Sequence, residues 1–204
     1  GLYNVLKIVD VNNDSFKDIV LGNYGLNSSF KASIDKPLTL LVNDFDNNRK
    51  TEQIIGMYYG NDLYPIVQLK DLWMQIPILK KKYLKFENYK NKKLLELFSK
   101  EIIDKTEKKY VYNLASGILI NDLGTQFTLE YLPFEAQLSP IYSILSENLN
   151  NDDYDDIIIG GNITTVKPEF GINNGSFSLL LLGMKDSKFK SLNSKESGLF
   201  VKGE

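Results

Sequence analysis

Oxygen-bearing side chains occupy alternate places in Asp10-Val11-Asn12-Asn13-Asp14-Ser15-Phe16-Lys17-Asp18, and the apolar run Ile19-Val20-Leu21-Gly22-Asn23 follows without a gap. The pattern returns at Asn148-Leu149-Asn150-Asn151-Asp152-Asp153-Tyr154-Asp155-Asp156, followed by Ile157-Ile158-Ile159-Gly160-Gly161-Asn162. A less regular copy, Asp44-Phe45-Asp46-Asn47-Asn48-Arg49-Lys50-Thr51-Glu52, runs into Gln53-Ile54-Ile55-Gly56. Alternating oxygens on a tight loop suit a hard cation, because calcium takes six to eight oxygens at about 2.3–2.6 Å. The expected Ca2+ ligands are Asp10, Asn12, Asp14 and Asp18 in loop one, Asp44, Asp46, Asn48 and Glu52 in loop two, and Asn148, Asn150, Asp152 and Asp156 in loop three. The backbone carbonyls of Phe16, Lys50 and Tyr154, at the seventh place, would complete each set.

An EF-hand shares the opening of this pattern but needs a bidentate Glu at its twelfth place and an exiting helix. The twelfth residues here are Leu21, Ile55 and Ile159, within β-branched runs that read as strands. A metal-free turn is the other reading of such Asp- and Asn-rich stretches; three copies in similar context favour a repeated ligand loop. The sixth place, where Gly eases a left-handed turn, holds Ser15, Arg49 and Asp153, at a cost of roughly 1–2 kcal/mol each. Arg49 and the longer Glu52 are expected to make loop two the weakest of the three.

The loop-plus-strand pattern resembles the FG-GAP/VCBS repeat of β-propellers, found in integrin α-subunit heads and in exported bacterial proteins. It is most similar to the large VCBS-repeat proteins of Bacteroidetes-type bacteria. Segments like Gly25-Leu26-Asn27-Ser28, Gln75-Ile76-Pro77, Pro133-Phe134-Glu135-Ala136-Gln137-Leu138-Ser139-Pro140 and Glu196-Ser197-Gly198-Leu199-Phe200 also look like theirs. The resemblance implies an all-β, partial β-propeller of about three repeats, part of a longer chain and interrupted by a small helical insert. It implies an exported protein (periplasmic, at the outer-membrane surface or secreted) whose role is non-catalytic: a calcium-rigidified scaffold binding glycan or protein.

Composition narrows the alternatives. A chain of 204 residues with 43% hydrophobic content can bury a core, and a formal charge of −2 gives no global attraction to nucleic acid. With no His and no Cys, thiol nucleophiles, Ser-His-Asp triads, His- or Cys-ligated zinc and disulfides are excluded. No apolar run reaches the length of a membrane span, and a signal peptide would lie upstream of this sequence.

Strands are expected at 2–9, 19–22, 38–42, 54–59 and 141–145, with hairpins at 117–131 and 178–190. Loop starts at Asp10, Asp44 and Asn148 leave a second gap roughly three times the first, which must hold an insertion or a repeat without its loop, and reads as holding both. Over 67–110, Leu69, Leu72, Trp73, Ile76, Leu79 and Tyr83 recur at helical spacing, with Pro77 separating two short helices. Leu94, Leu95, Phe98, Ile102 and Ile103 form a second amphipathic stretch. This insert carries the basic cluster Lys80, Lys81, Lys82, Lys85, Lys90, Lys92 and Lys93, interleaved with Tyr83, Phe86 and Tyr89. Such a cluster can bind single-stranded nucleic acid, but the absence of Arg favours a solvated face with snorkelling lysines. Asp152, Asp153, Asp155 and Asp156 could be imagined as glycosidase acids, the basis of an alternative reading as part of a hydrolytic propeller; their place in a repeat makes metal ligation more economical.

Overall fold

The computed structural model describes residues 1–167 and 170–203. Each oxygen-rich loop ends where a short β-branched run begins, and each run forms a strand starting at the loop's ninth residue. In chain order the strands are β1 (Val5–Val9), β2 (Asp18–Gly22), β3 (Leu38–Asn43), β4 (Glu52–Tyr59), β5 (Asp62–Pro65), β6 (Glu107–Val111), β7 (Gly117–Asp122), β8 (Gln126–Tyr131), β9 (Ser143–Glu147), β10 (Asp156–Gly160), β11 (Leu179–Met184) and β12 (Lys188–Leu192). Helices α1 (Leu69–Gln75), α2 (Leu79–Lys82), α3 (Phe86–Tyr89), α4 (Leu94–Leu97) and α5 (Lys100–Lys105) lie between β5 and β6, and α6 (Ser194–Ser197) follows β12. The chain is therefore mainly β. Its strands form three four-stranded antiparallel sheets, ordered β1-β2-β7-β8, β5-β4-β3-β6 and β12-β11-β10-β9, with no closed barrel among the described residues. None of the described helices is long and apolar enough to cross a membrane.

Two compact units result. The first comprises residues 1–29 and the chain from Leu114 onward, and holds the β1-β2-β7-β8 and β9–β12 sheets. Val9, Val20 and Ile118 of one sheet and Ile157, Ile159 and Leu181 of the other are buried in one apolar cluster. Burying such side chains stabilises by about 1.5–3 kcal/mol each. The second unit, 30–113, contains the remaining sheet and helices α1–α5 around Leu41, Ile54, Leu72, Ile76, Leu94 and Phe98.

This second unit revises the expected insert. The helices end at Lys105, whereas 107–111 forms β6, whose Val111, Lys109 and Glu107 pair with Leu38, Leu40 and Val42 of β3. The run Glu107-Lys108-Lys109-Tyr110-Val111 is largely exposed and carries no apolar alternation, so its strand character comes from its partner rather than its own pattern. The excursion from β2 is thus not helices alone: β3–β6 and α1–α5 together separate β2 from β7, which pair as Ile19↔Leu119.

Within the helices, Leu69, Leu72, Ile76, Leu79 and Tyr83 are buried as their spacing predicts, Trp73 is partly buried, and Pro77 separates α1 from α2. Leu95 differs, being 62% exposed while Leu97 is buried. The first strand starts at Val5 rather than Leu2, and the strand before loop three spans Ser143–Glu147 rather than 141–145.

Truncating fully buried Leu72 to Ala should destabilise the second unit by about 2–5 kcal/mol in denaturant unfolding. Leu95→Ala should fall within about 0.5 kcal/mol of wild type. Tyr89 gives a pH prediction. Its hydroxyl donates to the Val67 carbonyl at 2.7 Å, and burial pushes the phenol up to about 12. A raised pKa in the folded state contributes stability that is complete below the ordinary phenol value of about 10 and is lost as pH rises toward the shifted one. In unfolding curves wild type should exceed Tyr89→Phe by about 1 kcal/mol at neutral pH, and this advantage should shrink and then reverse as pH rises through that window, because only the wild type has a phenol to ionise. Parallel curves throughout would count against the buried phenol.

Candidate metal centre

The loops are built from short polar side chains that hold the backbone in a tight curl. The fourth residue of each, Asn13, Asn47 and Asn151, is left-handed with φ of 59°, 58° and 59°, a conformation that Asn tolerates better than most residues. In loop one Asp10 accepts from the backbone N–H of Asp14 at 3.1 Å and of Ser15 at 2.9 Å. In loop two Asp44 accepts from Asn48 at 3.0 Å and Arg49 at 2.8 Å. These paired bonds accompany the left-handed sixth residue, Ser15 at φ 74° and Arg49 at φ 68°. Loop three differs. Asn148 has one acceptor oxygen where the others have a carboxylate; its amide donates to the Asp152 carbonyl, and Asp153 is not left-handed.

The ninth residue closes each loop. Asp18 is fully buried and accepts from Val11 N–H at 3.0 Å and from Asn121 N–H, at the far side of the hairpin strand β7, at 2.8 Å. Asp156 repeats this bracket with Leu149 at 3.0 Å and Gly183 of β11 at 2.9 Å. Gly183 must lack a side chain, since a Cβ there would lie 2.4 Å from the Asp155 carbonyl oxygen. Burial pushes the Asp18 carboxyl up, the N–H groups of Asn121 and Val11 pull it down, and the charges of Asp14 and Asp10 push it up again. Without a cation, its contribution to stability is therefore fully present below the ordinary carboxylate range and is lost as pH rises through the raised value.

Loop two is organised differently. Glu52 accepts from Phe45 N–H at 2.9 Å, and its carboxylate also approaches those of Asp44 and Asp46. Ligand oxygens of the three lie within 4.8 Å of one another, the one such carboxylate group among the described residues. Oxygens that close can all reach one cation through bonds of about 2.3–2.6 Å. Asp46 Oδ1 is buried and accepts no hydrogen bond. Loops one and three satisfy the corresponding pair internally: the Asn12 amide donates to Asp14 at 2.9 Å and the Asn150 amide to Asp152 at 2.7 Å. In loop two the order is reversed, Asp46 before Asn48, and among the described residues no amide donates to Asp46 Oδ1. Arg49 is exposed and forms no salt bridge with the triad.

The preorganisation of the loops thus runs opposite to the sequence-based order. Loop two gathers three acids, of which Asp44 and Glu52 accept backbone bonds and Asp46 Oδ1 accepts none; Asn148 Oδ1 of loop three is likewise buried without a partner, while the loop-one acids each carry backbone or amide hydrogen bonds. Phe16 and Lys50 are exposed and Tyr154 is half-buried; their N–H groups donate to Asp14, Asn48 and Asp152 at 2.8, 2.8 and 2.7 Å. Of the other acids of loop three, Asp152 and Asp153 are exposed and Asp155 is half-buried, its carboxyl pushed up first by burial and then by Glu147.

In the basic cluster Lys80, Lys81, Lys82, Lys85 and Lys90 are exposed, while Lys92 and Lys93 pair with Glu96 and Asp62 at 2.8 Å each. Tyr83 and Tyr89 belong to the second unit's core, which leaves Phe86 as the exposed ring of the three.

Comparison with protein-family models, with curated proteins and with solved structures finds no match.

The bracketing role of the ninth residue separates from any metal role by substitution. Asp18→Asn or Asp156→Asn turns one of two accepting atoms into a donor that faces a backbone N–H. Each should cost about 1–3 kcal/mol, with the same loss in calcium and in chelator. A loss seen only in calcium would make these residues ligands first and brackets second.

Proposed function

We propose that this chain is a calcium-rigidified, non-catalytic β-propeller segment of an exported protein, acting as a scaffold that binds glycan or protein. The observation that carries the metal is the loop-two triad, in which Asp46 Oδ1 is buried and unsatisfied beside Asp44 and Glu52. Carboxylates held so close repel one another, and a hard cation removes that repulsion and supplies the missing partner. Asp44, Asp46 and Glu52 would hold the ion, which supplies charge neutralisation and cross-linking of the loop rather than reaction chemistry. Loops one and three join the first and second strands of their own sheets as loop two does, and they are proposed as further, weaker sites.

The propeller reading draws support from the sheets. The sheets β1-β2-β7-β8 and β9–β12 share one buried cluster, and their first strands, β1 and β9, lie beside each other. On the opposite side of the first sheet, the register places Leu6, Ile8, Leu119, Phe127, Leu129 and Tyr131 on one face. Leu6, Ile8, Phe127, Leu129 and Tyr131 are exposed there. Such a surface fits a further blade of the same kind. Loops of this type reach affinities of about 10⁻⁴–10⁻³ M in extracellular modules, which suits an exported protein.

Calcium at 10 mM, about a hundredfold above a 10⁻⁴ M dissociation constant, should stabilise the protein by about 2.7 kcal/mol, read as a rise in melting temperature over chelator. Asp46→Asn should abolish most of that rise while keeping the protein folded in chelator, because the substitution relieves repulsion. Identical melting curves with and without calcium would reject the metal reading, and an undiminished rise in Asp46→Asn would move the site elsewhere.

A further inference from the structure

A cavity of about 440 Å³ in the second unit is lined by Tyr59, Tyr64, Pro65, Tyr89, Asn91 and Lys92. This size falls within the range of small-molecule sites. The β4–β5 hairpin builds one wall. Its register pairs Tyr59 with Asp62 and Met57 with Tyr64, which puts Tyr59 and Tyr64 diagonally on one face. Their rings meet edge to face at 5.8 Å. Tyr59 closes β4 beside the Gly60 turn and is 60% exposed, so this pair is a surface feature rather than core packing. Tyr89 is fixed from behind by its bond to Val67.

The polar groups of the lining narrow the ligand. No carboxylate of the described residues lines the cavity, so a metal ion has no hard ligand there, and the Lys92 ammonium already in the lining disfavours a second cation on the tyrosine rings. Its one cation, Lys92, is matched by Glu96 at 2.8 Å, so an anion gains little. What remains is a neutral site with ring and proline walls, phenol hydroxyls and the Asn91 amide, able both to donate and to accept. A ligand complementary to this has flat apolar faces and a hydrogen-bonding perimeter. We infer that the cavity between the β4–β5 hairpin and the α3–α4 segment is a binding site for a neutral pyranose ring, the apolar C–H face lying on tyrosine and the hydroxyls meeting Asn91 and the phenols. The inference deepens the scaffold reading and rests on it only in assigning binding rather than turnover.

The test uses the full chain in calcium, titrated with methyl α- and β-glucopyranoside, galactopyranoside and mannopyranoside and with adenosine as a flat non-sugar control, by calorimetry and tyrosine chemical shifts. At least one pyranoside should saturate in the millimolar range. Tyr59→Ala, at an exposed position that leaves folding intact, should weaken it about tenfold, the size of one lost ring contact. Tyr59→Phe, which keeps the ring, should stay within about threefold. No saturation by any pyranoside overturns the site, and if calcium still raises the melting temperature the scaffold's metal reading survives that failure. Binding unchanged by Tyr59→Ala, or adenosine bound as tightly as the best sugar, overturns it as well. Sugar binding that tracks Tyr59 without any calcium effect on melting would uphold the site and remove the metal.

Discussion

The structure of the first unit depends on carboxylates buried at the junction between loop and strand. Asp18 and Asp156 are each fully buried, where an unpaired charge would be prohibitive. Each is tolerated because both its oxygens accept from backbone N–H groups, one in the loop and one from β7 or β11. The same bonds that satisfy the charge therefore fasten the loop to the sheet. Glu52 takes the same place in loop two, but there one bond to Phe45 N–H accompanies an approach to Asp44 and Asp46. The longer side chain moves the carboxylate from bracing the sheet toward gathering acids. One position in the repeat thus serves two purposes, set by which oxygens remain free.

A second repeated device lies at the other end of the same strands. Asn23 follows β2 and Asn162 follows β10, and both are buried. Asn23 accepts from Leu2 N–H and donates to the Ala115 carbonyl at 2.9 and 3.0 Å; Asn162 accepts from Ser139 and donates to the Ser176 carbonyl at 3.1 and 2.9 Å. Gln137 completes the network, exchanging bonds with Ser116 in both directions. Its carbonyl receives Leu26 N–H, and a Cβ on Gly25 would come within 2.7 Å of that oxygen. The segments 25–28 and 133–140, far apart in the chain, are consequently joined along a polar seam in which Gly25, Gln137 and Ser139 are buried. Satisfied networks of this kind specify a single arrangement more than they add stability.

The nesting of the second unit between β2 and β7 has a kinetic consequence. β3, β4 and β5 are sequential hairpin partners, so this unit is rich in local contacts, whereas the first sheet pairs Ile19 with Leu119 across the whole excursion. Closing that long loop is costly before its contacts form. A prefolded second unit, which shortens the effective loop, makes β2–β7 pairing more accessible.

The sequence by itself determined the elements whose signals are local. Alternating oxygens between β-branched runs marked three oxygen-rich loops and the strands leaving them, Pro77 marked the break between α1 and α2, and helical spacing selected Leu69, Leu72, Ile76, Leu79 and Tyr83 as core. The sequence reading placed the left-handed turn at the sixth residue and passed over the fourth, where Asn13, Asn47 and Asn151 adopt it. Tertiary structure decided the rest, because the deciding partners are distant. β6 is a strand only through β3, and one oxygen of Asp18 is taken by an N–H 103 residues away. Loop two, expected to be the weakest because of Arg49 and Glu52, is the loop in which three carboxylates gather, with the arginine in solvent. Residue type sets which atoms can ligate; only the folded chain determines which of them are left without a hydrogen bond.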